Sequence, residues 1–202
     1  MEVVMRMLIG VWLVFCLGAV SASAGGGLGV FGSYMDSKDP GTAYGGGGKL
    51  KVDLGKFVAL EVRGSYLTNF EVEEAGVQVR FEDLALIPVE GDLVLQLPLG
   101  EKAGCLYGGG GGGYYVLPEY DLVEYDGPGG THKYDLDDTF GFFAVAGLQL
   151  NLGDNAALFA EVQYRVVEVE GAEVDGEEVE FSDNWVVEFT GLTGSAGLLF
   201  RW

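Results

Sequence analysis

From residue 25 onward, large apolar side chains recur at every second position. Segment 57–70 shows this most clearly: Val58, Leu60, Val62, Tyr66 and Phe70 alternate with Ala59, Glu61, Arg63, Ser65 and Asn69. A helical period would put Glu61 and Arg63 on different faces, so the period is two and the element a strand. The alternation extends over eight segments: 27–35, 42–54, 57–70, 84–97, 102–118, 139–152, 156–169 and a last one entered through 185–189 and ending at Trp202. One face carries Leu28, Val30 and Tyr34 in the first segment and Tyr44, Leu50, Val52 and Leu54 in the second. It carries Ile87, Val89, Leu93, Leu95 and Leu97 in the fourth, Phe140, Phe142, Leu148 and Leu150 in the sixth, and Leu158, Val162, Tyr164 and Val166 in the seventh. In the fourth, Pro88 cannot donate a ladder hydrogen bond and is expected at an outer rim or a bulge.

The last segment sets Leu192, Ala196, Leu198, Phe200 and Trp202 against Thr193, Ser195, Gly197 and Arg201, with Leu199 the only large apolar residue on that second face. In water such a strand would expose both apolar side chains and an unpaired edge. Both problems vanish if the apolar face meets lipid and the last strand closes on the first. The connections alternate in length. Those near Gly55, Gly100 and Asp154 are tight, and those near Asp39, Glu73, Gly127 and Asp175 are longer. Short periplasmic turns and longer external loops give this order when an even number of strands starts on the periplasmic side. The expected fold is therefore all-β: an eight-stranded antiparallel up-and-down transmembrane β-barrel over residues 25–202, with 120–138 and 170–184 as long external loops.

Residues 1–24 read differently. Arg6 precedes an apolar run from Met7 to Val20, followed by Ser21-Ala22-Ser23-Ala24. This is the pattern of a secretory signal peptide cleaved after Ala24. The run is short for a membrane span. Cleavage leaves Cys105 as the only cysteine, so no internal disulfide forms. Composition agrees with a curved sheet: 35 glycines, 12 Phe and 10 Tyr, with no transmembrane-helix run after the leader. A net charge of −20 argues against nucleic acid as a partner.

With the apolar face on lipid, the opposite face fills the lumen. It holds Lys49, Lys51, Arg63, Arg165 and Arg201 against Asp53, Glu61, Glu90, Asp92 and Glu161. Five cations balance five carboxylates, so the chain's acidic excess belongs to loops and rims. Paired charges can be buried where isolated ones cannot. An eight-stranded barrel is only wide enough for its own side chains. These ten residues are expected to plug the lumen as a structural ion-pair network. The glycine runs 45–48 and 108–113 carry aromatic neighbours, Tyr44, Tyr107, Tyr114 and Tyr115, and read as sharply curved strand. A phosphate loop fits poorly, because Gly48-Lys49 is followed by Leu50 and by no helix.

Phe57-Val58-Ala59-Leu60-Glu61-Val62-Arg63-Gly64-Ser65-Tyr66, after a tight glycine turn, looks like the third strand of the small OmpA/OmpW-like outer-membrane β-barrel family. Leu86-Ile87-Pro88-Val89, Leu97-Pro98-Leu99-Gly100, Tyr107-Gly108-Gly109-Gly110 and Phe159-Ala160-Glu161-Val162-Gln163-Tyr164-Arg165 are similar to its later strands. Leu198-Leu199-Phe200-Arg201-Trp202 resembles the aromatic-ended strand that the family's assembly machinery recognises, with Leu198, Phe200 and Trp202 as the signal. The resemblance implies residence in the outer membrane of a diderm bacterium after Sec-type export. Its partners would be outer-membrane lipid and the barrel-assembly machinery; it sets no oligomeric state.

The residues call for no catalytic group, cofactor or metal. His132, the only histidine, lies in an expected loop, and no Gly-x-Ser-x-Gly nucleophile motif occurs. The acidic stretch from Glu168 to Glu180 lacks EF-hand spacing. The expected role is structural or surface-exposed, and not enzymatic. The alternative is a small-molecule conduit through the wall, with the glycine-rich fifth segment as its place. A lipid-modifying barrel enzyme and a soluble barrel with an apolar, ligand-binding interior rank below these. A soluble barrel would turn Arg63, Arg165 and Arg201 outward.

Overall fold

A computed structural model describes residues 25–38, 41–74, 77–100, 103–117, 120–122, 132–136, 138–169, 171–174, 177–180 and 187–202. The expected signal peptide, 1–24, lies outside them. Eight strands form the barrel: β1 (Gly26–Ser37), β2 (Thr42–Asp53), β3 (Val58–Glu74), β4 (Val77–Gly100), β5 (Gly104–Val116), β8 (Thr139–Asn151), β9 (Ala156–Val166) and β14 (Gly191–Arg201). The external segments add β6 (Tyr120–Leu122), β7 (His132–Leu136), β10 (Glu168–Val169), β11 (Gly171–Val174), β12 (Glu177–Glu180) and β13 (Val187–Glu188).

The barrel strands pair in the order β1-β14-β9-β8-β5-β4-β3-β2 and close. Every pairing is antiparallel between chain neighbours, with β14 returning to β1 from Gly27↔Arg201 to Ser37↔Gly191. Closure leaves the barrel no edge, so backbone groups are satisfied inside the sheet.

The pleat points as the alternation requires. Leu28, Val30, Leu93, Leu95, Phe142, Val162, Phe200 and Trp202 are exposed on the outer surface, Phe200 by 53%. Glu61, Arg63, Glu90, Asp92, Glu161 and Arg165 are all buried, none above 4%. The soluble alternative required the opposite arrangement.

Both glycine runs are strand. Residues 108–113 pair continuously with β4 and β8. The reason for glycine there is steric. A Cβ at Gly111 would overlap the carbonyl oxygen of Gly91 on β4, and one at Gly47 that of Gly64 on β3. In so small a barrel the inner surface is too tightly curved for a side chain at every inward position.

Four expectations change. First, Phe70 is fully buried instead of outward. Asn69 adopts a left-handed φ of 57° at a register shift between Thr68 and Phe70, and this bulge inverts the facing of Phe70. Second, β3 and β4 continue as a hairpin to Glu74↔Val77, where a longer connection near Glu73 was expected. Third, β6, β7, β11 and β12 form a four-stranded sheet that joins two external segments, and His132 belongs to β7. Fourth, Pro88 sits within β4 without a register shift. It pairs with Tyr115 on the β5 side, while the β3 ladder omits Ser65 and Tyr66 between Gly64↔Val89 and Leu67↔Leu86.

Candidate functional site

The lumen is the candidate site, and register builds it. On β2, Lys49 and Lys51 lie opposite Arg63 and Glu61 of β3; these in turn lie opposite Glu90 and Asp92 of β4. Five of the charged side chains face a glycine on a neighbouring strand: Lys51 and Gly27, Lys49 and Gly29, Glu90 and Gly113, Asp92 and Gly111, Glu161 and Gly147. The glycines provide the volume. A Cβ at Gly113 would come within 2.7 Å of Glu90 Cγ, and one at Gly147 would overlap the Tyr107 ring.

The ten expected ion-pair residues do not form one network; they separate into layers. The central layer joins Lys49, Glu61, Arg63, Asp92 and Glu161. Lys49 Nζ lies 3.0 Å from Glu61 and 2.9 Å from Glu161. Arg63 reaches Glu61 at 3.1 Å, Asp92 at 3.0 Å and Glu161 at 2.5 Å. Tyr107 donates its hydroxyl to Glu161 at 2.8 Å, and Lys49 stands over the Phe159 ring at 3.9 Å. Four strands, β2, β3, β4 and β9, supply the charges, so this layer ties the barrel together across its axis.

A second group lies on the external side of it. Arg165 pairs with Glu90 at 2.7 Å. Glu90 also accepts from Tyr115 at 2.8 Å and Gln163 at 3.0 Å, and Arg165 donates to Gln163 and Thr193. This pair is fully desolvated and saturated with hydrogen bonds, as a buried ion pair requires. Above it, Met35, Leu67, Phe70, Leu86, Tyr115 and Phe189 belong to a buried apolar cluster at the external end.

The third group stands at the periplasmic end. Lys51 donates to Gln96 and Gln149, and Asp53 lies 3.7 Å from it. Arg201 meets no carboxylate among the described residues; it donates to Asn151 at 2.8 Å and to the Gly153 carbonyl at 2.5 Å. The terminal strand turns Leu198, Phe200 and Trp202 outward.

Tyr107, Tyr115, Gln96, Gln149, Gln163 and Thr193 complete the lumen and were not among the expected site residues. The glutamines and Thr193 carried the signal, since they share the inward parity. The tyrosines did not, because the adjoining glycines conceal the facing of β5.

A membrane-spanning surface closed by β1 and β14 around a charged lumen suits one environment. The family described as outer membrane protein beta-barrel domain matches residues 11–197. The chain belongs to the outer-membrane β-barrel family. Its fold is similar to outer membrane protein OprG from Pseudomonas aeruginosa, with a TM-score of 0.64 and 15% identity over 89% of this chain and 96% of that one. Neisserial surface protein A gives a TM-score of 0.57 and 13% identity over 88% and 97%. Ail, the attachment invasion locus protein of Yersinia pestis, gives 0.53 and 14% over 89% and 99%. At these identities the likeness is one of fold. Among curated proteins none matches the sequence. This outer-membrane barrel thus sits in the outer membrane of a Gram-negative bacterium, its apolar face against lipid and its ion pairs in the lumen.

Proposed function

We propose that this is a closed, non-enzymatic barrel with a structural or surface-exposed role. The observation that carries the reading is the central layer, in which Arg63 spans from Asp92 to Glu161 under an external apolar cluster. Removing any one partner would strand a buried charge, so the layer resists opening. Purified protein in planar bilayers should show no sustained conductance steps; large, stable channels would overturn the reading. His132→Ala should leave lipid A unmodified to the same extent as the parent; a loss of modification would instead reveal an enzyme.

Residues 1–24 act as the cleaved export signal, and Leu198, Phe200 and Trp202 as the assembly signal. Serine at both Phe200 and Trp202 should slow insertion by the assembly machinery while leaving spontaneous folding in detergent intact. Equal slowing of both would remove that role.

The second reading, a conduit through the wall, would need an opening at Ser65 and Pro88, where proline has no hydrogen to donate but the strands keep register on either side; the glycine-rich fifth segment is paired on both sides. A disulfide joining cysteines placed at Ser65 and Pro88 would seal that gap. Uptake of an apolar solute by vesicles should fall on oxidation if the wall opens there. Uptake unchanged by the bond, or absent from the parent, leaves the closed barrel.

A further inference from the structure

Lys49 and Lys51 point inward from β2 two residues apart, and both are buried. Their compensation differs. Lys49 has two carboxylates within 3.0 Å. Lys51 has two neutral amide oxygens, Gln96 Oε1 at 2.7 Å and Gln149 Oε1 at 3.1 Å. Its carboxylate, Asp53, is 3.7 Å away, one-third exposed, and already accepts from Gln96 Nε2 at 3.0 Å. A buried ammonium compensated mainly by neutral dipoles is costly.

Arg201, partly buried, adds a second cation. Its Nη atoms meet Asn151 and the backbone carbonyls of Gly153, Asp154 and Ala156, while its Nε is buried without a partner. Lys51 and Arg201 both line a cavity of about 160 Å³ at the periplasmic mouth, and so does Lys56. One water needs only about 10–15 Å³. Among the described residues, three cations and the single carboxylate of Asp53 line this space, in a chain of formal charge −20.

We infer that this cavity binds a small oxyanion, a carboxylate or phosphate, entering from the periplasm. The anion lies against the Arg201 guanidinium and neutralises Lys51, with Lys56 at the opening. Lys51, Gln149 and Arg201 face the lumen and not the lipid, so the ligand is a soluble anion and not a headgroup carrying acyl chains.

The test is a titration of the folded barrel in zwitterionic detergent with inorganic phosphate and, separately, acetate, at constant ionic strength made up with chloride. Nuclear magnetic resonance would follow Arg201 Nε–H and the Gln149 and Asn151 side-chain amides. Saturable shifts confined to these groups are expected for at least one anion. Lys56→Gln, on the exposed turn, should weaken binding about threefold, as for a rim charge. Lys51→Met should weaken it about tenfold or more, as for a charged hydrogen-bond partner. Heat-modifiable gel mobility establishes that each variant is folded; if Lys51→Met is not, Arg201→Gln takes its place. Shifts linear in anion concentration, no shift, or equal affinity in Lys56→Gln and the buried-cation variant would each overturn the site.

Discussion

Glycine position decides more in this barrel than glycine content. Inward, Gly111 has no room, because its Cβ would overlap Gly91 of the next strand. Outward, Gly64 and Gly194 have nothing within 4 Å of a Cβ, and neither has a positive φ. Gly111→Ala should therefore destabilise the barrel by about 1–3 kcal/mol, as overpacking does. Gly64→Val and Gly194→Val should be neutral or stabilising by up to about 1 kcal/mol, since valine suits a strand and lipid accepts it. Urea unfolding from phospholipid vesicles measures both. Equal losses at inner and outer positions would show that curvature is not what demands glycine. In the sequence the run 108–113 revealed a bend but not its facing, because glycine carries no side chain to alternate. Register against Glu90 and Asp92 supplies what the letters omit.

At the scale of elements, the barrel strands were legible because lipid and lumen impose opposite chemistry on adjacent residues. The wall residues of β9, from Leu158 to Val166, face as the alternation reads. What failed to show was every departure from strict period two. Asn69 is the clearest case. One left-handed residue turns Phe70 from lipid into the external cluster, where its ring meets Phe189 edge-on at 5.8 Å. Asparagine tolerates that conformation and a β-branched residue does not. Asn69→Gly should be within about 0.5 kcal/mol of the parent, and Asn69→Val should lose about 1–2 kcal/mol. The readout is the urea midpoint, together with a fluorescence probe at position 70 that reports exposure to lipid. A stable Asn69→Val with residue 70 still inward would mean that the bulge does not depend on Asn69. The loop strands escaped notice for another reason: β6, β11 and β12 hold three or four residues each, too short for a period to declare itself.

For the whole molecule, the ten charged residues share the inward parity but stand in layers along the axis. Charge balance read from sequence cannot distinguish one network from three, because it counts side chains and not their height along the axis. The layers also govern closure. The lumen carries two seals in series, the central ion pairs and, external to them, the cluster that includes Met35, Leu67, Phe70, Leu86 and Phe189. Glu161→Gln removes the carboxylate that Lys49, Arg63 and Tyr107 share and leaves both cations less compensated. It should cost about 3–5 kcal/mol, in the range for a broken buried pair. It should not open a channel, because the apolar cluster still excludes water. Phe70→Ala with Leu86→Ala opens the external end but leaves the ion pairs, and should likewise stay silent in planar bilayers. Only the triple variant should conduct, at small unitary steps, since the wall is unchanged and the bore of eight strands is narrow. Conductance from Glu161→Gln alone would make the ion pairs the sole seal, and silence from a folded triple variant would place a further block at the Glu90–Arg165 group or at the periplasmic group of Lys51 and Arg201.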